Sequence, residues 1–274
     1  MSPLVEMSRD DAAGAREASV QVVTKAAALL DELAASGPLS AAELADEVGE
    51  PRSSVYRLLA TLQQLELVEP GPRRGTFRLG IALLRLGDAV AAGFDEREAA
   101  LPAMRRIHDE TGETVFLCVR RDDEAVCIER LEGRRVQSLA LRLGGSLPLH
   151  AGAAPRVLLA FEPRERWQEY LAHRELERFT DNTPADAATL VAALEEIRDS
   201  ALAVSDEDVT PGIAALGAPI FGHRGTIRAA LSISGVRPAI LGERFEAIRE
   251  LIVSGATEIS RNLGHARQEV SAGG

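Results

Sequence analysis

The sequence predicts an α+β chain of two parts: a small N-terminal domain of helices with a β-hairpin, and a larger domain of strands and helices. The length of 274 residues suits two domains better than one. Apolar residues recur at helical spacing in the first third of the chain, and from Val115 onward strand-like segments alternate with helical ones. Hydrophobic residues make up 46% and charged residues 27%, which allows a normal core and argues against wholesale disorder.

Several classes of protein are excluded by composition. No apolar run approaches the roughly 18 residues that span a bilayer, so we expect no membrane contact. The polar residues 1–17 lack the apolar segment of a secretory signal, and we expect residues 1–18 to form a disordered arm. Cys118 and Cys127 are too few for a disulfide framework, and we interpret them as buried packing residues, with redox sensing as the less favoured alternative. These features predict a cytoplasmic protein.

Three helices are predicted before residue 66. Apolar side chains on one face indicate the first helix, Ser19–Ala35, which Gly37-Pro38 ends. That face holds Val20, Val23, Ala27, Leu30 and Leu33. Ser40 and Glu43 have the spacing of a capping box, in which the serine oxygen accepts from a free amide and the glutamate bonds back to the serine amide. A short second helix is therefore expected to begin after Ser40.

A third helix and a β-hairpin follow. Pro51 suits the first turn of this helix. The apolar stripe of the helix consists of Val55, Leu58, Leu59, Leu62 and Leu65. Two strand candidates, residues 67–69 and 76–79, flank the turn-rich segment Pro70–Gly75. Three helices and then a hairpin with arginines at its tip is the order of a winged helix-turn-helix, a DNA-binding module.

The distribution of charge favours a local contact with nucleic acid over a general one. The chain carries a net charge of −11 at pH 7, which opposes binding to a polyanion. Pro51–Gly80, however, contains five arginines and only two acidic residues. A basic island on an acidic protein indicates a defined DNA contact with weak indiscriminate binding.

The candidate DNA contacts lie on the third helix and on the hairpin tip. Arg57 can pair bidentately with guanine or contact a phosphate, and Tyr56 suits a phosphate or a thymine methyl group. An ordinary surface helix shows the same amphipathic pattern, and winged helices also bind proteins, so a surface helix or an interaction scaffold is the alternative. The predicted DNA-binding residues are Ser40, Arg52, Ser53, Ser54, Tyr56, Arg57, Thr61, Arg73 and Arg74.

The rest of the chain is predicted to form a linker helix and a second domain. The predicted bounds are 19–80 for the winged helix-turn-helix, 81–96 for the linker helix and 97–268 for the second domain. Strands are expected at residues 115–120, 125–130, 136–141, 217–221 and 227–234. Helices are expected at residues 101–109, 156–161, 165–173, 187–200 and 242–263. We expect a mixed sheet with helices packed on it.

Four stretches of the chain resemble one known family. They are SAAELADEVGEPRSSVYRLLATLQQLELVEPGPRRGTFRLG, TGETVFLCVRR, GGSLPLHAGAAPRVLLAF and GIAALGAPIFGHRGTIRAALSISG. In this order, over about Ser19–Gly264, they are similar to the isocitrate-lyase-regulator (IclR) family of bacterial transcriptional regulators. The resemblance implies a GAF-like mixed α/β effector-binding domain behind the winged helix-turn-helix. It also implies a small organic effector, often a carboxylate, and dimers that pair into tetramers.

The resemblance also implies a set of effector contacts. Carried over position by position, they fall on Val136, Leu139, Leu147, Ala153, Ala154, Ser205, Ile213, Ala215, Ser232 and Ser234. Free amides at the start of a helix attract anions, which suits Ala153 and Ala154 to a carboxylate. The alternative is that the serines only satisfy strand neighbours. This chain departs from many members at Pro155-Arg156, where they have Gly-Lys, and from some at Ser205 and Ala215.

No catalytic constellation is visible. The five histidines are scattered without metal-ligand spacing, and there is neither a phosphate-binding glycine loop nor a nucleophile elbow. We interpret His150, which lies in the loop before Ala153, as a structural hydrogen-bonding residue. We therefore expect no catalytic residues, no metal and no cofactor. The alternative is an enzyme of small-molecule metabolism with an N-terminal winged-helix interaction module.

Together these features predict a ligand-responsive transcriptional regulator, expected to be a repressor. Its partners are expected to be double-stranded operator DNA, a small-molecule effector of carboxylate type and further copies of the chain in a homodimer or tetramer. A dimer would place two third helices in successive major grooves of a near-palindromic operator.

Overall fold

The computed structural model describes residues 9–91, 95–135 and 141–265, and the chain divides into two units between residues 93 and 94. The predicted boundary lay three residues later, at the end of a linker helix over 81–96. The structure has a helix α4 over Ile81–Ala91, and the next helix begins at Asp95. The apolar residues after the hairpin thus form a helix that belongs to the first unit.

Helix α1 spans Arg9–Ser36 and corrects two expectations. Residues 9–18, expected to be part of a disordered arm, are helical, because alanine, arginine and glutamate dominate this stretch and favour helix. The predicted apolar face is only partly buried: Leu33 is buried and Leu30 is half-buried, whereas Val23 is 70% exposed. Leu29 and Leu33, near the C-terminal end of α1, belong to the core of the unit, and periodicity alone does not distinguish them from exposed apolar residues such as Val23.

Two shorter helices complete the helical part of the first unit. Helix α2 spans Ala41–Glu47 and helix α3 spans Arg52–Gln64. The capping box at the start of α2 is confirmed: the Glu43 amide donates to Ser40 Oγ at 3.3 Å, and the Ser40 amide donates to Glu43 Oε2 at 2.7 Å. Val55, Leu59 and Leu62 of α3 are buried as predicted. Leu65, predicted in the same stripe, is 58% exposed because α3 ends one residue before it.

A small antiparallel sheet forms the wing. Strands β1 (Leu39–Ser40), β2 (Val68–Pro70) and β3 (Thr76–Leu79) lie in the order β1-β3-β2. The hairpin of β2 and β3 was predicted from the sequence, whereas the two-residue strand β1 was not. Ser40 pairs with Thr76 across β1 and β3, so the residue that caps α2 is also fixed to the hairpin. The sheet therefore sets the position of the hairpin relative to the helices.

The second unit is built on one six-stranded sheet. Its strands are β4 (Thr114–Arg121), β5 (Glu124–Leu131), β6 (Ser146–Pro148), β7 (Ala203–Asp206), β8 (Ile213–Phe221) and β9 (Ile227–Val236), in the order β6-β5-β4-β9-β8-β7. The expectation of a mixed sheet was wrong, since every pair of neighbouring strands is antiparallel. Tight turns join β4 to β5 and β8 to β9, and such hairpins make antiparallel neighbours. The predicted strand at 136–141 lies, apart from its last residue, outside the described residues.

Helices cover both faces of this sheet. They are α5 (Asp95–Thr111), α6 (Ala153–Ala160), α7 (Arg164–His173), α8 (Ala187–Ser200), α9 (Arg237–Leu241) and α10 (Phe245–Asn262). The core under α5 and α10 takes Val115 and Leu117 from β4, and the core under α6, α7 and α8 takes Phe116 and Cys118. This alternation follows from the period of two in a strand. Within the described residues, no helix combines the length and apolarity needed to cross a membrane.

We expect replacement of Ser40 by alanine to loosen α2 locally. Loss of a serine cap costs about 1 kcal/mol, which corresponds to roughly fivefold faster amide exchange through local opening. Hydrogen–deuterium exchange of the α2 amides measures the effect. Ser40→Asn, which keeps a good capping side chain, is the matched control and should exchange like wild type. Equal exchange in wild type and Ser40→Ala would show that the capping box does not hold α2.

Candidate functional site

The outward face of α3 presents polar and basic side chains to solvent. Ser53, Tyr56, Arg57 and Thr61 are exposed, and Ser54 is half-buried. The Thr61 hydroxyl donates to the Arg57 carbonyl at 3.1 Å, so it contacts its own helix. Opposite this face lies the buried stripe that anchors α3. The helix is therefore held on one side and free on the other, as insertion into a major groove requires.

The hairpin tip places Arg73 and Arg74 in solvent at the end of the wing. Arg73 Nη2 lies 3.4 Å from the Pro38 carbonyl, to which it donates, and the Thr76 hydroxyl donates to the Arg73 carbonyl at 2.7 Å. Arg78, on the strand, is paired with Glu69 at 2.6 Å. Part of the basic island is therefore neutralised within the wing, and its free charge is concentrated at the tip and on α3.

Ser40 differs from the other eight predicted DNA contacts. Its hydroxyl accepts the Glu43 amide, and its own amide donates to the Glu43 carboxylate. The hydrogen bond from the Ser40 amide, followed by the one from its hydroxyl, lowers the pKa of Glu43. A carboxylate thus stays charged beside Ser40, which makes this serine the least suited of the set to a phosphate.

A single cavity in the second unit is lined by all eight of the described residues that were predicted to contact an effector. They are Leu147, Ala153, Ala154, Ser205, Ile213, Ala215, Ser232 and Ser234. Val136 and Leu139, the other two, lie outside the described residues. Sequence reasoning missed Phe116, Leu141, Gly152, Pro155, Val209 and Thr210, which also line it. The cavity holds about 500 Å³ free of protein atoms, part of it open to solvent.

The sheet brings the serines to one wall of this cavity. Ser205, Ala215 and Ser234 stand opposite one another across β7, β8 and β9, and so share a face. Gly217 and Ser232 form the next row, which continues to Phe116 on β4. The alternation that places serines toward the cavity places Leu231 and Ile233 in the core on the other face. Ser232 and Ser234 are both buried and both line the cavity.

The start of α6 forms the second wall. Gly217 allows the helix to approach the sheet, since a Cβ atom there would lie only 3.1 Å from the Ala153 carbonyl carbon. Gly152 has φ of +89°, a conformation that glycine adopts without strain, and it turns the chain into the helix. The Ala153 and Ala154 amides belong to the first turn, where helix amides have no carbonyl partner. Both residues line the cavity, whose other walls are largely apolar, and amides at the start of a helix attract an anion.

A buried ion pair holds these two walls together. Arg156 Nη2 lies 2.6 Å from Asp208 Oδ2 and also donates to the Val204 carbonyl at 2.8 Å. The Gly152 amide donates to Asp208 Oδ2 at 3.3 Å, and the Ser205 hydroxyl donates to Asp208 Oδ1. Burial lowers the pKa of Arg156, and the Asp208 carboxylate opposes this change. Sequence reasoning missed Asp208, although an arginine in the apolar stretch AAPRVLLA signals the need for a buried carboxylate.

Comparison with known proteins gives the family. The model of the bacterial transcriptional regulator IclR C-terminal domain matches residues 89–261, and that of the IclR helix-turn-helix domain matches residues 22–72. This chain belongs to the IclR family. It is therefore a transcriptional regulator with a helix-turn-helix DNA-binding domain, and the resemblance found in the sequence is confirmed.

Named IclR-family proteins are similar to this chain over most of its length. The transcriptional regulator KipR of Bacillus subtilis (strain 168) is 31% identical over 245 residues, which are 89% of this chain and 98% of KipR. The repressor AllR of Escherichia coli (strain K12) is 31% identical over 245 residues, 89% of this chain and 90% of AllR. The crystal structure of the Thermotoga maritima IclR has a TM-score of 0.77 at 32% identity, and the match covers 90% of this chain and all of that one (100%). The predicted α+β class with an N-terminal helix-turn-helix is confirmed.

His150 of this IclR-family chain is a buried hydrogen-bonding residue beside the cavity loop. Its Nε2 lies 2.8 Å from the Glu177 carbonyl oxygen. Because a carbonyl oxygen can only accept a hydrogen bond, Nε2 carries the hydrogen. Its Nδ1 then accepts the Tyr170 hydroxyl at 2.9 Å. Burial lowers the pKa of His150, and the same effect raises the pKa of Tyr170 to about 12. The neutral ring thus joins α7 to the loop that leads into α6.

We expect His150 to make the second unit less stable as pH falls. Its pKa in the folded state is lowered, so its stabilisation is present above the unfolded-state pKa of about 6.5 and is lost as pH falls toward the folded-state value. One such proton changes the free energy of unfolding by at most about 1.4 kcal/mol per pH unit. Denaturant unfolding between pH 7.5 and 5.5, followed by the fluorescence of the buried Trp167, measures it.

The variant His150→Gln should remove this part of the pH dependence. The exposed His223, in the turn between β8 and β9, provides the control variant His223→Gln, which should keep the wild-type slope. An unchanged slope in His150→Gln would contradict the assignment of a neutral, buried imidazole.

Proposed function

We propose that this IclR-family regulator is a repressor that binds a near-palindromic operator as a homodimer and responds to a small organic acid in the cavity of its second unit. The observation that carries the proposal is the gathering of eight predicted contact residues, on β6, α6, β7, β8 and β9, around one cavity. The similar protein AllR is named a transcriptional repressor, which supports repression over activation. DNA is the target, so we infer a cytoplasmic location.

The DNA contact is proposed to centre on α3. Arg57 and Ser53 lie on its exposed face, and Arg73 and Arg74 lie at the tip of the wing. A helix in the major groove can present Arg57 to a guanine edge, while the tip contacts phosphate or the minor groove. We assign base recognition to Arg57 and positioning to the two tip arginines.

Exposed apolar side chains in the first unit support a homodimer. Val23 on α1 is 70% exposed and Leu84 on α4 is 69% exposed, with Val22, Ile81 and Leu86 similarly accessible. Clusters of large apolar side chains on a surface commonly mark protein interfaces. A two-fold dimer through these helices would present two copies of α3 to two half-sites. Pairing of dimers into a tetramer is part of the proposal.

The cavity is proposed to bind a carboxylate at the Ala153 and Ala154 amides. Among the described residues that line it there is no acidic, basic, histidine or cysteine side chain, so it offers no general acid or base. That lining supports binding over catalysis. Effector binding would shift the population of DNA-competent arrangements through a coupling free energy of roughly 1–3 kcal/mol.

We expect Arg57→Ala to weaken and broaden DNA recognition. Loss of a bidentate arginine–guanine contact costs about 1–3 kcal/mol and relaxes selectivity at one base pair. Gel-shift titration against DNA upstream of the gene that encodes this protein measures the affinity, with a scrambled duplex for selectivity. Arg224→Ala, which removes an exposed arginine from the second unit, is the charge-matched control. Equal affinity and selectivity in wild type and Arg57→Ala would remove Arg57 from base recognition.

We expect Ala215→Phe to fill the cavity and make the regulator insensitive to effector. A panel of aliphatic and aromatic monocarboxylates is screened by thermal shift, where an acid at 100 times its Kd adds about 2.7 kcal/mol of stability. Ala215→Phe should show no shift with an acid that stabilises wild type, while its operator affinity stays unchanged. Ala215→Ser, a small replacement, should retain the response. A wild-type response in Ala215→Phe would place the effector elsewhere.

A further inference from the structure

The two cysteines of the chain, Cys118 and Cys127, lie directly opposite each other on β4 and β5. Both are free thiols, and both side chains are fully buried. Nine positions separate them in the sequence, so only the pairing of the two strands shows that they are neighbours. Both belong to the core under α6, α7 and α8, which places their side chains on the same face of the sheet.

The backbone bonds of Cys127 show which kind of strand pair this is. Its amide donates to the Gly145 carbonyl at 2.9 Å, and its carbonyl accepts the Gly144 amide at 2.8 Å. In an antiparallel ladder the amide and the carbonyl of one residue point to the same side, so both groups of Cys127 point away from β4. Cys118 and Cys127 are therefore a non-hydrogen-bonded pair, in which the side chains lie closer and the Cα atoms are about 4.5 Å apart.

A disulfide bond fits this arrangement. Disulfides join residues whose Cα atoms are about 4.4–6.8 Å apart and whose side chains point toward each other. The two thiols already share a hydrogen bond, and this bond, followed by burial, raises the pKa of Cys118. The pairing of β4 with β5 is also irregular beside the pair, between Leu117 and Cys118. An irregularity of this kind disrupts the ladder locally, so the strands can adjust when the bond forms.

We propose that Cys118 and Cys127 are a reversible disulfide site, oxidised by hydrogen peroxide and reduced again by a dithiol. One sulfur attacks a peroxide oxygen, the O–O bond breaks, and the departing oxygen leaves as water with the thiol proton. The second sulfur then attacks the resulting sulfenic acid, the S–S bond forms, and the hydroxyl group leaves as a second water with the other thiol proton. Two electrons pass from the sulfurs to the peroxide, and a dithiol returns two electrons and two protons.

Burial selects which oxidants reach the pair. The thiolate is the reactive form of cysteine, so two buried thiols react slowly. Phe116 and Leu141 belong to the same core cluster as the cysteines and also line the cavity. The core that holds the pair thus includes part of the cavity wall. We expect a molecule the size of hydrogen peroxide to enter from there and a bulky aromatic disulfide reagent to be excluded.

The new bond would restrain the edge of the cavity. Cys127 holds the turn at Gly144 and Gly145 through its two backbone bonds. This turn leads into β6, whose Leu147 lines the cavity. A covalent link from Cys127 to β4 therefore opposes opening of the turn. This inference goes beyond the proposed function and does not depend on it.

Mass spectrometry of the folded full chain tests the site. After treatment with hydrogen peroxide, digestion of wild type should give one cross-linked species that contains Cys118 and Cys127 and is lighter by two hydrogen atoms than its reduced parts. Dithiothreitol should restore the two thiols. Circular dichroism before and after treatment shows that the bond forms in the folded chain, and a non-reducing gel excludes links between chains.

Each single-cysteine variant is a matched control. Cys118→Ala and Cys127→Ala keep one thiol each and should lose no hydrogen atoms under the same treatment. Wild type whose cysteines stay unlinked while it is folded, or link only after unfolding in urea, would overturn the proposal and leave the pair as packing residues.

Hydrogen–deuterium exchange measures the restraint on the turn. The amides of Cys127 and Gly144 should exchange about threefold more slowly in the oxidised than in the reduced protein, because the bond opposes local opening. Amides of α10, which packs on the other face of the sheet, provide the internal control and should be unchanged. Equal exchange of the Cys127 and Gly144 amides in the two forms would overturn the restraint.

Discussion

Arg156 lies in the first turns of an apolar helix, and its side chain is only 9% exposed to solvent. Removing one partner of such a buried pair costs about 3–5 kcal/mol, because the other charge is left uncompensated. Asp208 therefore has to stay beside Arg156, although the two residues are 52 positions apart in the chain. The same carboxylate holds the Gly152 amide and the Ser205 hydroxyl. One ion pair thus fixes the loop that opens α6, the strand β7 and the polarity of the cavity wall between them.

In the first unit, the hydrogen bonds of Ser40 play a similar part, although they are weaker than the buried ion pair. Ser40 caps α2 through its side chain and pairs with Thr76 of the wing through its backbone. The helix start and the hairpin are consequently fixed to one residue, and the arginines at the tip keep a defined place relative to the helical core of this unit. In each unit, the polar groups of a short segment fix the position of a loop. Such contacts are needed because loops lack the apolar contacts that hold helices in place.

Local patterns predicted much of this fold. Helix α8 was predicted over the residues it occupies, and the capping box at Ser40 was predicted because its two residues are three apart. Strand β7 was missed because its four residues, Ala203–Asp206, carry too little periodicity. The antiparallel arrangement was missed because the residue pattern of one strand does not show which strands pair with it or in which direction they run. Asp208 was missed for the same reason, since the arginine with which it pairs lies on α6, 52 positions away in the chain.

The candidate cavity shows which features follow from the periodicity of one strand and which depend on how the strands pair. Alternation along β9 predicts that Ser232 and Ser234 share a face, but only the register with β8 shows that Ala215 and Gly217 leave room beside them. Phe116 illustrates the same limit: it was predicted in a strand, and the pairing of β4 with β9 is what brings it to the cavity. The small residues matter as much as the polar ones, since they create the space that the hydroxyls border.

Strand β9 connects this cavity to the opposite face of the sheet. Ser232 and Ser234 face the cavity, while Leu231 and Ile233, between and beside them, pack under α5 and α10. The packing there is tight, because a Cβ atom on Gly255 of α10 would lie 2.8 Å from Ile107 of α5 and 3.3 Å from Leu231. Close-packed interiors transmit small displacements instead of absorbing them. A ligand changes regulation only through a difference in its affinity for two arrangements, and β9 is the strand whose alternate residues border the cavity on one face and pack in the core under α5 and α10 on the other.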